Sequence, residues 1–436
     1  MIRTTLYSLL ILGSSQVFAA ESIPYSHGNP SAEEQYMLEL VNRARANPTA
    51  EGLFLANTGE AGVDFGIEFF HVNLARLELD FASYAPRPPL AFNAKLLASS
   101  RRQSKDMAKN NFQDHVGSDG STISSRVADA DYAASSASEN IYSNLVSTTL
   151  FAHAGFNIDW GNDTDGVQAD LGHRMSIMGF GPTDYREIGI SIVSRRGADA
   201  EEFGKLSVTQ DFGNRSPSPD FLLGVAYYDV NENGICEPGE GLSGIKVKPA
   251  TGSWHAVTST SGGYSIPFST DPGASDVTFS GGGLKTPLTK DFTIDGENKK
   301  VDLRITSGTP FVSLVPLDKI AGETTDGDAS FRIVRVGPDD GALTIIVGGP
   351  TKGGSGIASP GDYKLSAVAP ARVKKSPVAP GQFFVTIPAN KSFAEIKLTA
   401  AKDKKTEPVE NAVFSMIGSS AYRTGDPNSV RILIKP

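Results

Sequence analysis

The chain offers six histidines, one cysteine and 49 acidic residues with which chemistry could be done. Its densest short pattern is Asp229-Val-Asn231-Glu-Asn233-Gly234-Ile235-Cys236-Glu237-Pro-Gly-Glu240. This fits the calcium-loop pattern D-x-[DN]-x-[DN]-G-x5-E. Calcium is a hard ion that takes roughly six to eight oxygens. Short side chains at alternate positions, Asp229, Asn231 and Asn233, converge on such an ion. Gly234 permits the sharp turn, the Ile235 carbonyl contributes from the backbone, and Glu240 closes the sphere with both oxygens. The competing reading is an Asn/Gly turn that binds nothing. Cys236 falls where such loops hold an apolar side chain, so it reads as a small buried hydrophobe. Neither H-E-x-x-H nor G-x-S-x-G occurs, which argues against zincin proteases and α/β-hydrolases. A histidine taken singly is more often a structural or surface residue than a ligand.

The elements that must hold these groups are legible in the spacing. Residues 1–19 divide as a secretory signal: Arg3, an apolar run from Leu6 to Leu12, and Val17-Phe18-Ala19 for cleavage. That run is too short to span a bilayer, and no later stretch is apolar enough to do so. The expected localisation is secreted or cell-surface associated. Ser31 before Ala32-Glu33-Glu34 reads as a helix cap, and Tyr36, Met37, Leu40, Val41 and Ala44 recur at helical spacing as far as Asn47-Pro48. A second helix is predicted from Asn93 to Asn110, with strands at 188–193 and 205–210. Arg215-Ser-Pro-Ser-Pro219 reads as a stiff linker. Beyond it, short β-branched runs alternate with Gly, Asn, Asp and Ser turns, the texture of β-sandwiches. The fold class expected is multidomain: an α+β head followed by two β-sandwich domains. A net charge of −9 argues against nucleic acid as a partner.

Three segments of the front part belong together. They are Ser104 to His115, Ser138-Glu139-Asn140-Ile141, and Leu171-Gly172-His173-Arg174-Met175-Ser176 ahead of Glu187-Ile188-Gly189-Ile190. With Glu34, Val41-Asn42-Arg43-Ala44-Arg45 and Pro89-Leu90-Ala91-Phe92-Asn93, they resemble the CAP superfamily (SCP-like) of secreted proteins. The resemblance assigns 30–213 to that domain and implies an α-β-α sandwich with a shallow cavity lined by two histidines and two acids. His115, Glu139 and His173 match those positions. The family's W-x-x-E helix is present only as Phe156-Asn-Ile-Asp159, which makes Asp159 the fourth group with a shorter reach. His153, one helical turn earlier, could face the same cleft. Two insertions, at about 50–85 and 162–170, depart from the compact pattern and are expected to reshape or cover it.

The surroundings of the Asp229 loop resemble an SdrD B-like (Cna B-type) domain over 220–305, which implies a calcium-stiffened spacer. Residues 306–436 resemble a Calx-β-like domain, on Ala321-Gly322-Glu323, Phe331-Arg332-Ile333, Pro360-Gly361-Asp362-Tyr363 and Val385-Thr-Ile387-Pro388. Glu323, Asp362, Asp403 and Glu410 match that family's calcium acids, but Lys402, Lys404 and Lys405 beside them oppose a dication.

Two imidazoles with carboxylates suit Zn2+ or another divalent ion at His115 and His173. The same set could hold a water for general-base work. The leading expectation is a secreted binding or adhesive protein with a divalent-ion or small-ligand cleft, displayed on modules that Ca2+ stiffens. The alternatives are an extracellular hydrolase using His115, Glu139 and His173, and lipid or sterol binding. Expected partners are a small ligand, a lipid, or a surface glycan or protein.

Overall fold

The computed structural model describes residues 22–144, 146, 148–195, 204–268, 271–323, 327–354, 356–377, 379–402 and 408–436. The expected signal peptide and Asp403, Lys404 and Lys405 lie outside them.

After a short strand β1 (Ile23–Pro24), the helices follow their caps. α1 (Ala32–Ala46) opens with a capping box: the Glu34 amide donates to Ser31 Oγ, and the Ser31 amide donates to the Glu34 carboxylate. It stops at Asn47, whose side chain caps α2 (Pro48–Ala56). The segment expected as the first insertion carries two more helices, α3 (Ala61–Phe70) and α4 (Leu74–Ser83). α5 (Ala94–Asn110) starts from Asn93 and ends at Asn111, where φ is 54°. Three short helices complete the set: α6 (Ile123–Asp129), α7 (Thr149–Ala154) and α8 (Gly172–Met178).

The head sheet comprises β2 (Ala91–Phe92), β3 (Ser136–Asn144), β4 (Glu187–Ser194) and β5 (Leu206–Asn214), in the order β2-β4-β5-β3. Successive residues of a strand point to opposite faces. Ile188, Ile190, Val208 and Phe212 therefore enter one core, shared with Met37, Val41 and Phe81. The residues between them are Gly189, Ser191, Thr209 and Asp211, and α5 lies on that face. Ser104 on α5 donates to Thr209 Oγ1 at 2.8 Å. β5 is buried from Leu206 to Gly213, as a sheet covered on both faces requires. The result is the α-β-α sandwich.

Past the linker, the regular structure of the described residues is all β. β6 (Asp220–Tyr228), β7 (Ile245–Pro249), β8 (Trp254–Val257), β9 (Gly263–Phe268), β10 (Gly273–Gly281), β11 (Leu288–Ile294), β12 (Lys299–Lys300) and β13 (Leu303–Ile305) form two facing sheets. Their order is β1-β8-β7-β10-β11 and β12-β6-β13, with β9 added to β6. Ile245, Val247, Ile266, Val277 and Phe279 fill the space between. β1, from ahead of the head, thus joins the middle module, pairing in parallel with β8. The last module stacks a five-stranded on a six-stranded sheet, with Phe331 and Phe414 stacked 5.7 Å apart in its core.

Head and middle module share a polar joint. Arg215 in the linker grips the buried Glu187 through Nε at 2.7 Å and Nη2 at 2.8 Å. Lys300 of β12 meets the buried Glu39 of α1 at 2.9 Å.

The closest approach of helix to sheet is at Gly189, where an added Cβ would overlap the Leu96 backbone. Gly189→Ala is expected to destabilise the head by roughly 3 kcal/mol, because neither backbone can yield cheaply. Urea unfolding checks this against Gly341→Ala, where no atom lies within 4 Å and no change is expected.

Candidate functional site

The sequence-predicted groups assemble as two histidine–carboxylate dyads on either side of edge strand β3. Glu139 and Asn140 are neighbours on β3 and so leave opposite faces of the sheet. On the α5 side, His115 Nδ1 lies 2.9 Å from Glu139 Oε1. On the α8 side, the Asn140 amide donates to the His173 carbonyl at 3.2 Å, and His173 Nδ1 lies 2.7 Å from Asp159 Oδ1. Both carboxylates are buried, while the His115 side chain is 57% exposed and that of His173 22%. A carboxylate at Nδ1 fixes ring orientation and leaves Nε2 for a ligand, a water or a metal.

Asp159 succeeds despite its short side chain because of the backbone beneath it. α7 continues as a widened π turn over Gly155–Asp159, and Asp159 itself has φ of 56°. Its Oδ2 then accepts the backbone amides of His173 and Arg174 at 3.1 and 3.2 Å. It caps α8 from outside, where Leu171 at the helix start provides no side-chain cap.

Two partners of Glu139 were not read from the sequence. Arg126, fully buried on α6, donates through Nη2 to Glu139 Oε2 at 2.6 Å and to the His115 carbonyl at 3.0 Å. Asp211 lies directly opposite Glu139 in the β3–β5 register and is fully buried. Burial, and then the nearby Glu139 charge, push the Asp211 carboxyl well above its usual range. No motif signals either residue. Only the strand register and the helix after His115 bring them in.

His153 does not face this site. It is fully buried, with Nε2 2.8 Å from Glu51 Oε1 on inserted α2, and Arg43 clamps the same carboxylate. Burial pushes the His153 ring below its ordinary value, so it stands as a neutral core residue.

In the middle module, Asp229 Oδ2 accepts from the Gly234 amide at 2.8 Å and from Arg304 Nε at 2.6 Å. Its Oδ1 is buried and unpartnered. Asn231 Oδ1 and Asn233 Oδ1 accept the amides of Asn233 and Ile235. Glu240 accepts the Val230 and Glu237 amides, both at 2.9 Å, and burial raises its carboxyl. An orphaned buried oxygen at the first position is what a cation ligand would present before the ion arrives. Cys236 is buried and free, and burial raises its thiol well above the usual value. Among the described residues, no group of three or more His, Cys, Asp or Glu side chains is gathered to hold a metal ion.

Residues 38–200 match the model of the cysteine-rich secretory protein family, CAP. That match lies within the N-terminal unit. An extracellular protein containing a SCP domain from Bacillus anthracis str. Ames aligns at 19% identity, over 34% of this chain and 40% of its own, with a TM-score of 0.23. The apo Calx CBD1 domain aligns at 12% identity over 29% of this chain and 98% of its own, with a TM-score of 0.21. The D0-D1 domain of intimin aligns at 12% identity over 50% and 98%, with a TM-score of 0.19. No curated protein matches the chain. No helix among the described residues is long and apolar enough to cross a membrane.

The Glu139 hydrogen bond outweighs burial and raises the His115 ring above its ordinary value. His115 should therefore titrate above about 6.5 by NMR, and Glu139→Gln should bring its midpoint down. A raised folded value means the stabilising contribution is complete below the unfolded value and is lost as pH rises through the folded one. Stability of His115→Gln should lack that alkaline-side loss.

Proposed function

We propose that this is a secreted binding protein whose CAP head holds a divalent ion or small ligand at His115 and His173, displayed on β-modules of which the first is stiffened by calcium. The observation carrying this reading is the pairing of both histidines through Nδ1 with buried carboxylates. Neither ring bonds a hydroxyl or thiol among the described residues. Two imidazoles with Nε2 uncommitted suit a divalent ion completed by water, or a polar ligand. In this reading residues 220–305 are an SdrD B-like module and 306–436 a Calx-β-like one. They are the stalk, and export supplies the calcium.

Titration of the purified chain with zinc tests the head. Zinc should bind the wild-type protein and be weakened about tenfold or more by His115→Ala or His173→Ala. Hydrolysis of a peptide and ester panel, lost in both variants with the fold kept, would instead assign the dyads to an extracellular hydrolase. Co-purified lipid would assign the head to lipid capture.

Calcium removal tests the stalk. Extracellular modules bind with Kd of roughly 10⁻⁴–10⁻³ M, so millimolar calcium adds about 1 kcal/mol through RT ln(1 + [L]/Kd). Chelation at matched ionic strength should lower the middle-module Tm by about 4–8 °C. Asp229→Ala should abolish that response, and an unchanged melting curve on chelation refutes the calcium reading.

A further inference from the structure

The segments at 50–85 and 162–170 line a cavity of about 340 Å³. One wall is α4 and the other is the loop from Asp163 to Leu171. The volume lies within the range of small-ligand sites.

The walls are held firmly. The Asn73 amide donates to the Asp165 carbonyl at 2.9 Å, and Asn73 Nδ2 to Asp165 Oδ1 at 2.9 Å. At Gly166, where φ is 73°, a Cβ would overlap the Phe70 carbonyl, so the loop lies flush on the end of α3. The loop also carries backbone strain. Asp165 and Leu171 have φ of 64° and 49°, and Asp159 at its entrance 56°. A branched apolar residue such as Leu171 rarely adopts this conformation, and such outliers cluster at ligand sites.

The lining identifies the chemistry. Arg174 is already committed: Nη1 to Asp80 Oδ2 at 3.2 Å, Nε to the Asn157 carbonyl at 2.6 Å and Nη2 to the Ile158 carbonyl at 2.5 Å. Arg76 shares Asp80, with Nε 2.7 Å from Oδ1. With Asp163 and Asp165 the carboxylates outnumber the guanidinium groups, which disfavours phosphate or carboxylate ligands. Asp163 uses Oδ1 on the Thr164 amide, and Asp165 uses Oδ1 on Asn73, so each keeps a second oxygen to accept a hydroxyl. Gln168 can both donate and accept, and Leu77, Val167 and Leu171 supply an apolar surface.

We infer that this cavity binds a neutral sugar residue, its hydroxyl groups donating to Asp163 and Asp165 and its C–H face lying on the leucine and valine side chains. The site is distinct from the His115 and His173 dyads but touches them through one residue. Arg174 lines the cavity with its side chain and donates its amide to Asp159, the partner of His173.

Saturation-transfer NMR on the full chain, with methyl glycosides of glucose, galactose, mannose and N-acetylglucosamine as probes, tests the inference. At least one glycoside is expected to bind at millimolar concentration. Ala169→Trp, which places a ring in the cavity from an exposed loop position, should weaken it at least tenfold, and Gln168→Ala should weaken it measurably. An unchanged Tm and His173 resonance would show that the fold survives either change. The inference is overturned if no glycoside binds, if binding survives Ala169→Trp, or if inorganic phosphate displaces the sugar. Zinc binding at the dyads is a separate readout, so its loss or presence does not decide this result.

Discussion

The head is organised around two buried carboxyl groups on adjacent strands. Glu139 and Asp211 stand opposite each other on adjacent strands, in a layer that α5 closes from water. Burial, and then the Glu139 charge, hold the Asp211 carboxyl well above its usual range. Arg126 bonds Glu139 directly and gives that carboxylate a fully buried cationic partner. The charged Glu139 raises the His115 ring, and the same arginine nitrogen pins the His115 backbone. A buried ion pair of this kind is a poor source of net stability, since desolvation offsets much of the Coulomb gain. Its effect is to fix geometry and protonation where the ligand would arrive.

The second dyad reaches a similar end by a different route. Among the described residues no guanidinium bonds Asp159; its Oδ2 instead accepts the first amides of α8. A left-handed conformation at Asp159 after a π turn brings this short acid to His173 Nδ1. The neighbouring cavity depends on the same distortion, because the loop that leaves Asp159 is its wall. Strain at one residue thus serves both the dyad and the insertion packed behind it.

What could be read from the sequence divides along the range of the interactions involved. Ser31 announced α1 because caps act within one helical turn, helical spacing announced α5, and short β-branched runs between turn residues announced the two β modules. His115, Glu139 and His173 were legible only as an ordered set of segments, and Asp159 only as a short substitute for an acid. Arg126 and Asp211 were not legible, since their importance arises from strand register and from a helix folding back over the site. His153 was misplaced for a related reason. Helical spacing from Phe156 carries no information about Glu51, which lies on an inserted helix and draws the ring into the core. The 50–85 segment reads as an insertion from the sequence, whereas its three helices and the cavity behind them arise only in the tertiary arrangement.

The Asp229 loop shows how two charges of the same sign can be accommodated in the proposed calcium reading. The carboxylate divides its oxygens. Oδ2 sets the turn through the Gly234 amide and takes Arg304, while Oδ1 stays buried with no partner. An isolated buried acceptor costs about 1–3 kcal/mol, which a cation at that oxygen would offset. Arg304 orients the carboxylate so that Oδ1 faces inward, yet its fixed positive charge also repels a dication. The first effect favours a formed site and the second limits its affinity.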